Sequence, residues 1–472
     1  MASSRRPSAA RGRAALVGLV LALGVAAATG QAGATAAPQP PSAAPTPPPA
    51  AAPSTPPAPP GPRPPLLPAP GDAPVPTAAA LTAVLERALA DPGLGGRIAA
   101  SVVDATTGQV LVERRGGATV LPASTAKIAT AVAVLAALDP DLRLPTRVLA
   151  GARPGEVVLV GSGDVTLAGP SAQQDDPLRP ARLADLARDA RAALGGTRVR
   201  RVLVDDTAYA GPRLAPGWKP TYVTDGDAMP VSAVSVDAGR DAPGRGPRVQ
   251  DPGLAAGRAL AAALGAPGAR VARGVAPQGA AELAAVRSPP VSRLVERLLV
   301  RSDNDLAESL SRQVALARQR PPTFAGASSA VGEVLAEVLP GTGGAGFALA
   351  DGSGLSRSDR VQPAAVTALL SHVVRDGSGR YAPVLTGLPV AGFDGTLEDR
   401  FRAGTARPAA GVVRAKTGTL ADVSALAGLV RTRDGRLLAF DVTADAVPSG
   451  ANGPAEAALD RLAAGLASCG CR

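Results

Sequence analysis

Lysine is nearly missing from this chain. Of its 49 basic residues only three are lysines, Lys127, Lys219 and Lys416. Arginine keeps its proton in any protein environment, whereas a desolvated lysine can lose it. A chain that uses arginine almost everywhere keeps lysine where arginine will not serve, which marks Lys127 as a chemical group rather than a solvated one. Histidine occurs once, at His372, so no histidine cluster can hold a metal. No Gly-x-Ser-x-Gly is present, which leaves a Ser-His-Asp hydrolase with little support. The two cysteines, Cys469 and Cys471, stand one residue apart at the C-terminus. That spacing makes a poor disulfide ring; neither a disulfide framework nor a metal site is expected, and no cofactor is implied. Aromatic residues are 2% of the chain, and no basic run is interleaved with them, so nucleic acid is not an expected partner.

Apolar runs long enough to matter are also few. Residues 1–13 carry Arg5, Arg6, Arg11 and Arg13 and no acid, and Ala14 to Thr29 is apolar. That run is short for a membrane span of about 20 residues, and small residues follow it, with an A-x-A exit near Ala34 or Ala36. Residues 1–36 therefore read as a secretory signal peptide, with an uncleaved anchor as the alternative. Arg5-Arg6 allows a twin-arginine route, though the surrounding residues match it poorly. The exit has no cysteine to lipidate. Residues 37–76 are dominated by Pro and Ala and form an extended linker. No later stretch can span a membrane, so the product is expected outside the cytoplasm, wall-associated or secreted. The net charge of +10 falls to +6 without the leader arginines, mild enough only to tolerate an anionic polymer nearby.

The folded part, from about residue 77, is long enough for two or three domains. It is organised around Leu121-Pro-Ala-Ser124-Thr-Ala-Lys127, which opens an apolar helix ending near Ala137, before Asp139-Pro140. Residues i and i+3 share a helix face, so the hydroxyl and the amine can meet. Ser124 falls at or near the N-cap, where backbone N–H groups are unpaired and the dipole favours an oxyanion over an ammonium. That setting suits an activated nucleophile and its base; the bland alternative is a capping serine and a solvated lysine.

Around this helix the sequence predicts a helix over 77–91 and a hairpin of strands Ile98–Asp104 and Gln109–Glu113 turning at Thr106-Thr-Gly. A region of short strands, turns and one helix (182–194) comes next. There Gly161-Ser-Gly-Asp164 reads as turn glycines with a capping Asp, and Trp218 as packing or, alternatively, a cleft wall. Helices over 291–301 and 305–318 flank Ser302-Asp303-Asn304, a good place for a site loop. Asn304 is one of two asparagines in the chain. Asp351-Gly-Ser-Gly-Leu-Ser-Arg357 is a glycine-rich turn. The last block is a sheet: Val412 to Thr419, with Lys416-Thr417-Gly418-Thr419 on its first strand, then 423–432 and 437–443, closed by a helix over 454–467. Glycine on a strand marks close backbone approach.

Ser124-x-x-Lys127, Ser302-x-Asn304 and Lys416-Thr-Gly, in that order, resemble the three motifs of the penicillin-binding proteins and serine β-lactamases. The long interval between the first two motifs narrows the match, as do Gly161-Ser-Gly-Asp164, Asp351 to Arg357 and Gly395-Thr-Leu. With these, the chain from about 77 to 467 is similar to the low-molecular-mass class C penicillin-binding proteins, which are D-alanyl-D-alanine carboxypeptidases/endopeptidases. Val165 departs from the proline often found after Gly-x-Gly-Asp.

The resemblance implies an α+β fold. A penicillin-recognition domain of helices over a five-stranded antiparallel sheet comes from 77–148 and 287–472, and 149–286 is an inserted β-rich region. It implies Ser124 as nucleophile and Lys127 as general base, kept neutral by desolvation and nearby positive charge. Ser302 relays a proton to the leaving amine, and Lys416 sets the local field. Asn304 holds the substrate amide, and the Thr417 and Thr419 hydroxyls take the terminal carboxylate. The backbone N–H groups of Ser124 and Thr419 form the oxyanion hole. Arg357 grips a side-chain carboxylate of the stem peptide or, equally, makes a loop-stabilising ion pair. The implied partners are peptidoglycan stem peptides ending in D-Ala-D-Ala, with β-lactams as inhibitors. A β-lactamase and a non-enzymatic wall-binding module on the same fold are the alternatives. A class A β-lactamase needs a glutamate-bearing E-x-x-L-N loop that Glu337-Val-Leu-Pro-Gly does not match, and the complete Ser, Lys and Asn set argues against decay.

Overall fold

The computed structural model describes residues 73–170, 172, 176–240, 246–341 and 346–470. The expected leader and most of the linker lie outside these residues.

Thr77 caps the first helix, α1 (Ala78–Leu89), its hydroxyl accepting from the Ala80 N–H. Strands β1 (Ile98–Asp104) and β2 (Val110–Arg114) follow. Asp104 ties the turn between them by accepting from the Thr106 N–H at 2.9 Å and the Thr107 N–H at 3.2 Å. Then come α2 (Ala126–Ala137), β3 (Pro145–Ala150), β4 (Glu156–Gly161), α3 (Leu183–Leu194), β5 (Arg201–Asp205), α4 (Pro252–Ala263), β6 (Arg270–Arg273) and β7 (Glu282–Arg287). The chain continues through α5 (Val291–Val300), α6 (Asn304–Ala317) and α7 (Phe324–Val338) to the two-residue strands β8 (Phe347–Ala348) and β9 (Arg360–Val361). It closes with α8 (Pro363–Arg375), α9 (Ala382–Gly387), β10 (Val413–Leu420), β11 (Val423–Arg431), β12 (Leu437–Ala444) and α10 (Asn452–Ser468).

The main sheet is antiparallel in the order β10-β11-β12-β1-β2. β1 lies inside it, with Ile98 opposite Ala444, so the two ends of the folded region build one sheet. Alternate residues of a strand face opposite sides, and β12 uses both. Leu438, Phe440 and Val442 pack with Leu81 and Leu85 of α1 and Leu459 and Leu462 of α10. Leu437 and Ala439 face a second core with Ile128 of α2, Leu298 of α5, Leu310 of α6 and Leu369 of α8. Helix α2 is apolar all round because it runs through the middle of that core. Phe440 is wholly buried, and its truncation to Ala would cost about 3–5 kcal/mol.

Between the Ser124 and Asn304 segments stands a second sheet of order β6-β5-β4-β3-β7. β4, β5 and β6 run parallel, while β3 is antiparallel to both β4 and β7. Two helices cover it, α3 through Leu183 and Leu186 and α4 through Leu260, against Val157, Leu159, Val202 and Val204. The sequence led to an expectation of one helix here. α4 escaped because glycine and alanine crowd it, and the fold explains why: a Cβ on Gly257 would lie 2.6 Å from Val204 Cγ2 and 2.7 Å from Val271 Cγ1. Close packing on the sheet, not helix propensity, selects that glycine. Cys469, for which no disulfide was expected, is disulfide-bonded. Cys471 lies outside the described residues.

Candidate active site

Ser124 is not a capping residue. It sits in a 3-10 turn, Ala123–Thr125, and α2 begins at Ala126 with Thr125 as its N-cap. Ala123 takes a left-handed backbone (φ 47°) that is costly for a residue with a Cβ. The turn is clamped on two sides. A Cβ on Gly354 would lie 1.9 Å from the Ala123 carbonyl oxygen, and one on Gly418 would lie 2.7 Å from that of Pro122. The two glycines let the 351–357 turn and strand β10 approach the backbone that carries Ser124.

One helical turn on, Lys127 is wholly buried. Its Nζ donates to Ser124 Oγ at 2.9 Å, Asn304 Oδ1 at 2.6 Å and the Ser353 carbonyl at 2.6 Å. An ammonium has three donors, and all three are placed. Burial pulls its pKa down to about 8, against the opposing pull of Asp351, Glu308, Asp303 and Asp359. Desolvation is therefore the cause of the lowering, and the expected help from nearby positive charge is outweighed by carboxylates.

Asn304 opens α6, whose N-cap is Asp303. Its Nδ2 donates to the Asp227 carbonyl at 2.8 Å, so this side chain joins Lys127 to the loop before α4. The neighbouring Asp305 accepts from the Met229 N–H at 2.8 Å and pairs with Arg248 at 3.0 Å, both side chains buried. Ser302 stands at the end of α5 with φ 55°, a strained conformation of the kind found in site loops. Among the described residues its hydroxyl makes no hydrogen bond to Ser124, Lys127 or Lys416.

Lys416 is wholly buried on β10 and donates to the Thr417 carbonyl at 2.8 Å. Burial, with a contribution from the Lys127 charge, holds its pKa well below the usual lysine value. Thr417 Oγ1 donates to Thr396 Oγ1 at 2.8 Å, and the exposed Thr419 donates to Glu456 of α10 at 3.0 Å. Arg357 is engaged with Asp422 in a two-point ion pair. The Trp218 indole N–H donates to Asp351 at 2.6 Å, and its ring meets Tyr222 and Phe324 edge-on.

Two acids that sequence reasoning did not single out hold this arrangement. Asp351 is buried and accepts from the N–H groups of Ser353, Gly354 and Ser356 as well as from Trp218. Glu308 is buried one turn after Asn304 and accepts from the N–H groups of Gly352 and Ser353. The i, i+4 spacing of Asn304 and Glu308 was the available signal. Gly161 ends β4 and the chain turns after it, where Asp164 accepts from the Thr166 N–H at 2.9 Å. The turn docks on α6 where Ser309 donates to the Gly163 carbonyl and Gln313 to that of Ser162.

The profile of the D-Ala-D-Ala carboxypeptidase 3 (S13) family matches residues 81–247 and 241–466. A carboxypeptidase of Mycobacterium tuberculosis is 41% identical over 406 residues, covering 84% of this chain and 86% of its own length. The D-alanyl-D-alanine carboxypeptidase of an Actinomadura species is 31% identical over 476 residues, covering 81% and 84%. In fold, the chain is similar to penicillin binding protein 4 (dacB) from Haemophilus influenzae, with a TM-score of 0.66, 21% identity and coverage of 82% of this chain and 98% of that one. The α+β architecture, the order of the motifs and these matches agree, and the chain belongs to the D-Ala-D-Ala carboxypeptidase 3 (S13) family, the low-molecular-mass class C penicillin-binding proteins.

Proposed function

We propose that this carboxypeptidase works through an acyl-enzyme on Ser124. The observation that carries the reading is the 2.9 Å contact between Lys127 Nζ and Ser124 Oγ in a buried setting that brings the lysine pKa to about 8. A neutral Lys127 takes the hydroxyl proton as Ser124 Oγ bonds to the carbonyl carbon between the two terminal D-alanines. The carbonyl oxygen becomes an oxyanion, stabilised by the N–H groups of Ser124 and Thr419. The C–N bond then breaks, and the leaving amine receives its proton through Ser302, in the field of Lys416. Water hydrolyses the ester and returns the proton to Ser124. Asn304 holds the substrate amide, the Thr417 and Thr419 hydroxyls take the terminal carboxylate, and Gly418 lets the peptide lie against β10. Where the same D-alanyl carbonyl is joined to an amine of a neighbouring stem peptide instead of to a terminal D-alanine, attack by Ser124 breaks the crosslink and releases that amine, giving endopeptidase activity. β-Lactams acylate Ser124 and stay.

The catalytic domain in this reading is 77–148 with 287–472, and 149–286 is the inserted domain. The signal-like N-terminus directs the enzyme out of the cytoplasm to peptidoglycan. No helix among the described residues is long and apolar enough to cross a membrane. The test is covalent labelling by a fluorescent penicillin. The protein should label at one site and Ser124→Ala should not; labelling that survives Ser124→Ala removes Ser124 as nucleophile. Mass spectrometry of muropeptides before and after incubation separates loss of one D-alanine from cleavage of crosslinks.

A further inference from the structure

We infer that Glu308 is a positioning residue for Lys127, acting through the backbone of Gly352 and Ser353. The inference rests on the acyl-enzyme reading above. Glu308 is 1% exposed, and a carboxylate so buried must be matched by donors. Its donors are the Gly352 N–H at 3.1 Å and the Ser353 N–H at 2.9 Å. Ser353 is the residue whose carbonyl takes a hydrogen bond from Lys127 Nζ at 2.6 Å, and Thr130 of α2 donates to the Gly352 carbonyl at 2.7 Å. The 352–353 peptide plane is rigid, so the carboxylate that holds the Ser353 N–H aims the Gly352 carbonyl at Thr130 of α2. The Ser353 carbonyl that meets Lys127 lies one Cα further on, in the next peptide, whose Gly354 N–H is held by Asp351. Asn304 lies four residues earlier on α6 and touches Lys127 directly. One helix face thus grips the lysine twice, once by an amide and once through a backbone relay.

Arg312, also buried, closes the set on the far side, donating to the Glu308 carbonyl at 3.0 Å and facing its carboxylate at 3.5 Å, with its guanidinium 4.1 Å from the Phe324 ring centre. Glu308 also acts by its charge. Lys127 is faced by Glu308 and Asp303 from α6, by Asp351 and Asp359 from the 351–359 segment and by Lys416 from β10. Glu308 is faced by Asp351, Arg312 and Lys127. Burial raises the Glu308 pKa to about 7, so above that pH, where Lys127 titrates, its negative charge stabilises the Lys127 ammonium. Removing that charge lowers the lysine pKa, so the neutral base persists to lower pH.

The experiment measures the rate of penicillin acylation and the pH profile of kcat/KM on a D-Ala-D-Ala peptide, in the full chain, for Glu308→Gln and Glu308→Asp. Both variants should acylate about 10- to 100-fold more slowly, the size expected when a reacting group is displaced by a fraction of an ångström to an ångström. Glu308→Gln should also move the acid limb of the profile to lower pH, whereas Glu308→Asp, which keeps the charge, should leave it in place. A merely structural role lowers Tm and leaves the limb unmoved in both. Acylation at the unsubstituted rate in Glu308→Asp overturns the inference even where Glu308→Gln does not fold, and an unmoved limb in a folded Glu308→Gln overturns its electrostatic half. Retained labelling of Ser124→Ala is a separate outcome that removes the acyl-enzyme reading itself.

Discussion

Arg357 and Asp422 face each other in a fork, Nη1 to Oδ1 at 2.7 Å and Nη2 to Oδ2 at 2.7 Å. The guanidinium on the glycine-rich turn already holds a carboxylate, supplied by the turn between β10 and β11. Both side chains are more than a third exposed, at 37% and 41%, so the pair contributes about 1 kcal/mol at most to stability. It is weak enough for a second carboxylate to replace Asp422.

If a stem-peptide carboxylate does so, Arg357→Ala should raise KM for peptides that carry it and leave simple D-Ala-D-Ala esters nearly unchanged. Asp422→Asn should lower KM for the same peptides, by about 3- to 10-fold, because Arg357 is then free to bind them. Steady-state kinetics on the two substrate classes check this. Equal losses on both in Arg357→Ala, with a lowered Tm, assign the pair to loop stability alone.

For Lys127, Lys127→Arg should lose activity as fully as Lys127→Ala, by about 100-fold or more, since arginine keeps the charge but cannot accept a proton. In the unsubstituted enzyme kcat/KM should rise with pH and level off near the lysine pKa of about 8, because only the neutral amine is a base. An arginine variant that retained most of its turnover would place the base elsewhere.

Gly354→Ala tests the clamp on the turn that carries Ser124. Gly354 has φ 81°, and its new methyl would meet the Ala123 carbonyl. Backbone conformation alone costs about 1–2 kcal/mol, and the contact must push Ala123, and with it Ser124, aside. Penicillin acylation should fall by at least about 10-fold, read from the labelling rate. An unchanged rate would mean that the turn can shift without moving the serine.

Asp441 lies buried in the middle of β12, opposite Ser101 and Ala427, and among the described residues only Thr443 donates to its carboxylate. Burial raises its pKa from 3.8 to about 7. The folded state therefore holds a proton that the unfolded chain releases near pH 4. The stability this confers is complete below about pH 4 and is lost as pH rises through about 7. Asp441→Asn keeps the shape without the charge, so it should raise Tm at pH 8 relative to the unsubstituted protein by more than it does at pH 5. Thermal unfolding at the two pH values decides; an equal shift at both would show that Asp441 is not titrating in the fold.

The sequence made the ends of this site legible and left its middle hidden. Ser124 and Lys127 were readable because a helix fixes their spacing and lysine is rare, and Asn304 because asparagine is rarer still. The strands β1, β2, β10, β11 and β12 were readable from apolar runs broken by turns such as Asp434-Gly435. Glu308 was not, since a glutamate within an amphipathic helix reads as solvated until the 351–357 turn is folded over it. The pairing of Arg357 with Asp422, across 65 residues, leaves no local trace. Neither does α4, whose glycines serve a contact with a sheet and not its own helix. Trp218 could be read as packing or as a cleft wall, and it bonds Asp351 beneath the site while packing on Tyr222 and Phe324.

Because β1 sits between β12 and β2, the first strand of the domain has no lasting partner on one edge until the last strand has been made. The serine is synthesised early, yet the sheet that supports it and the lysine of β10 that flanks it come from the end of the chain. Pairings of such long sequence separation form slowly. If Ser124 is the nucleophile, as proposed, a nascent chain carries it in a form unable to acylate, and competence to react with peptide or penicillin should appear in one step with the docking of the C-terminal strands.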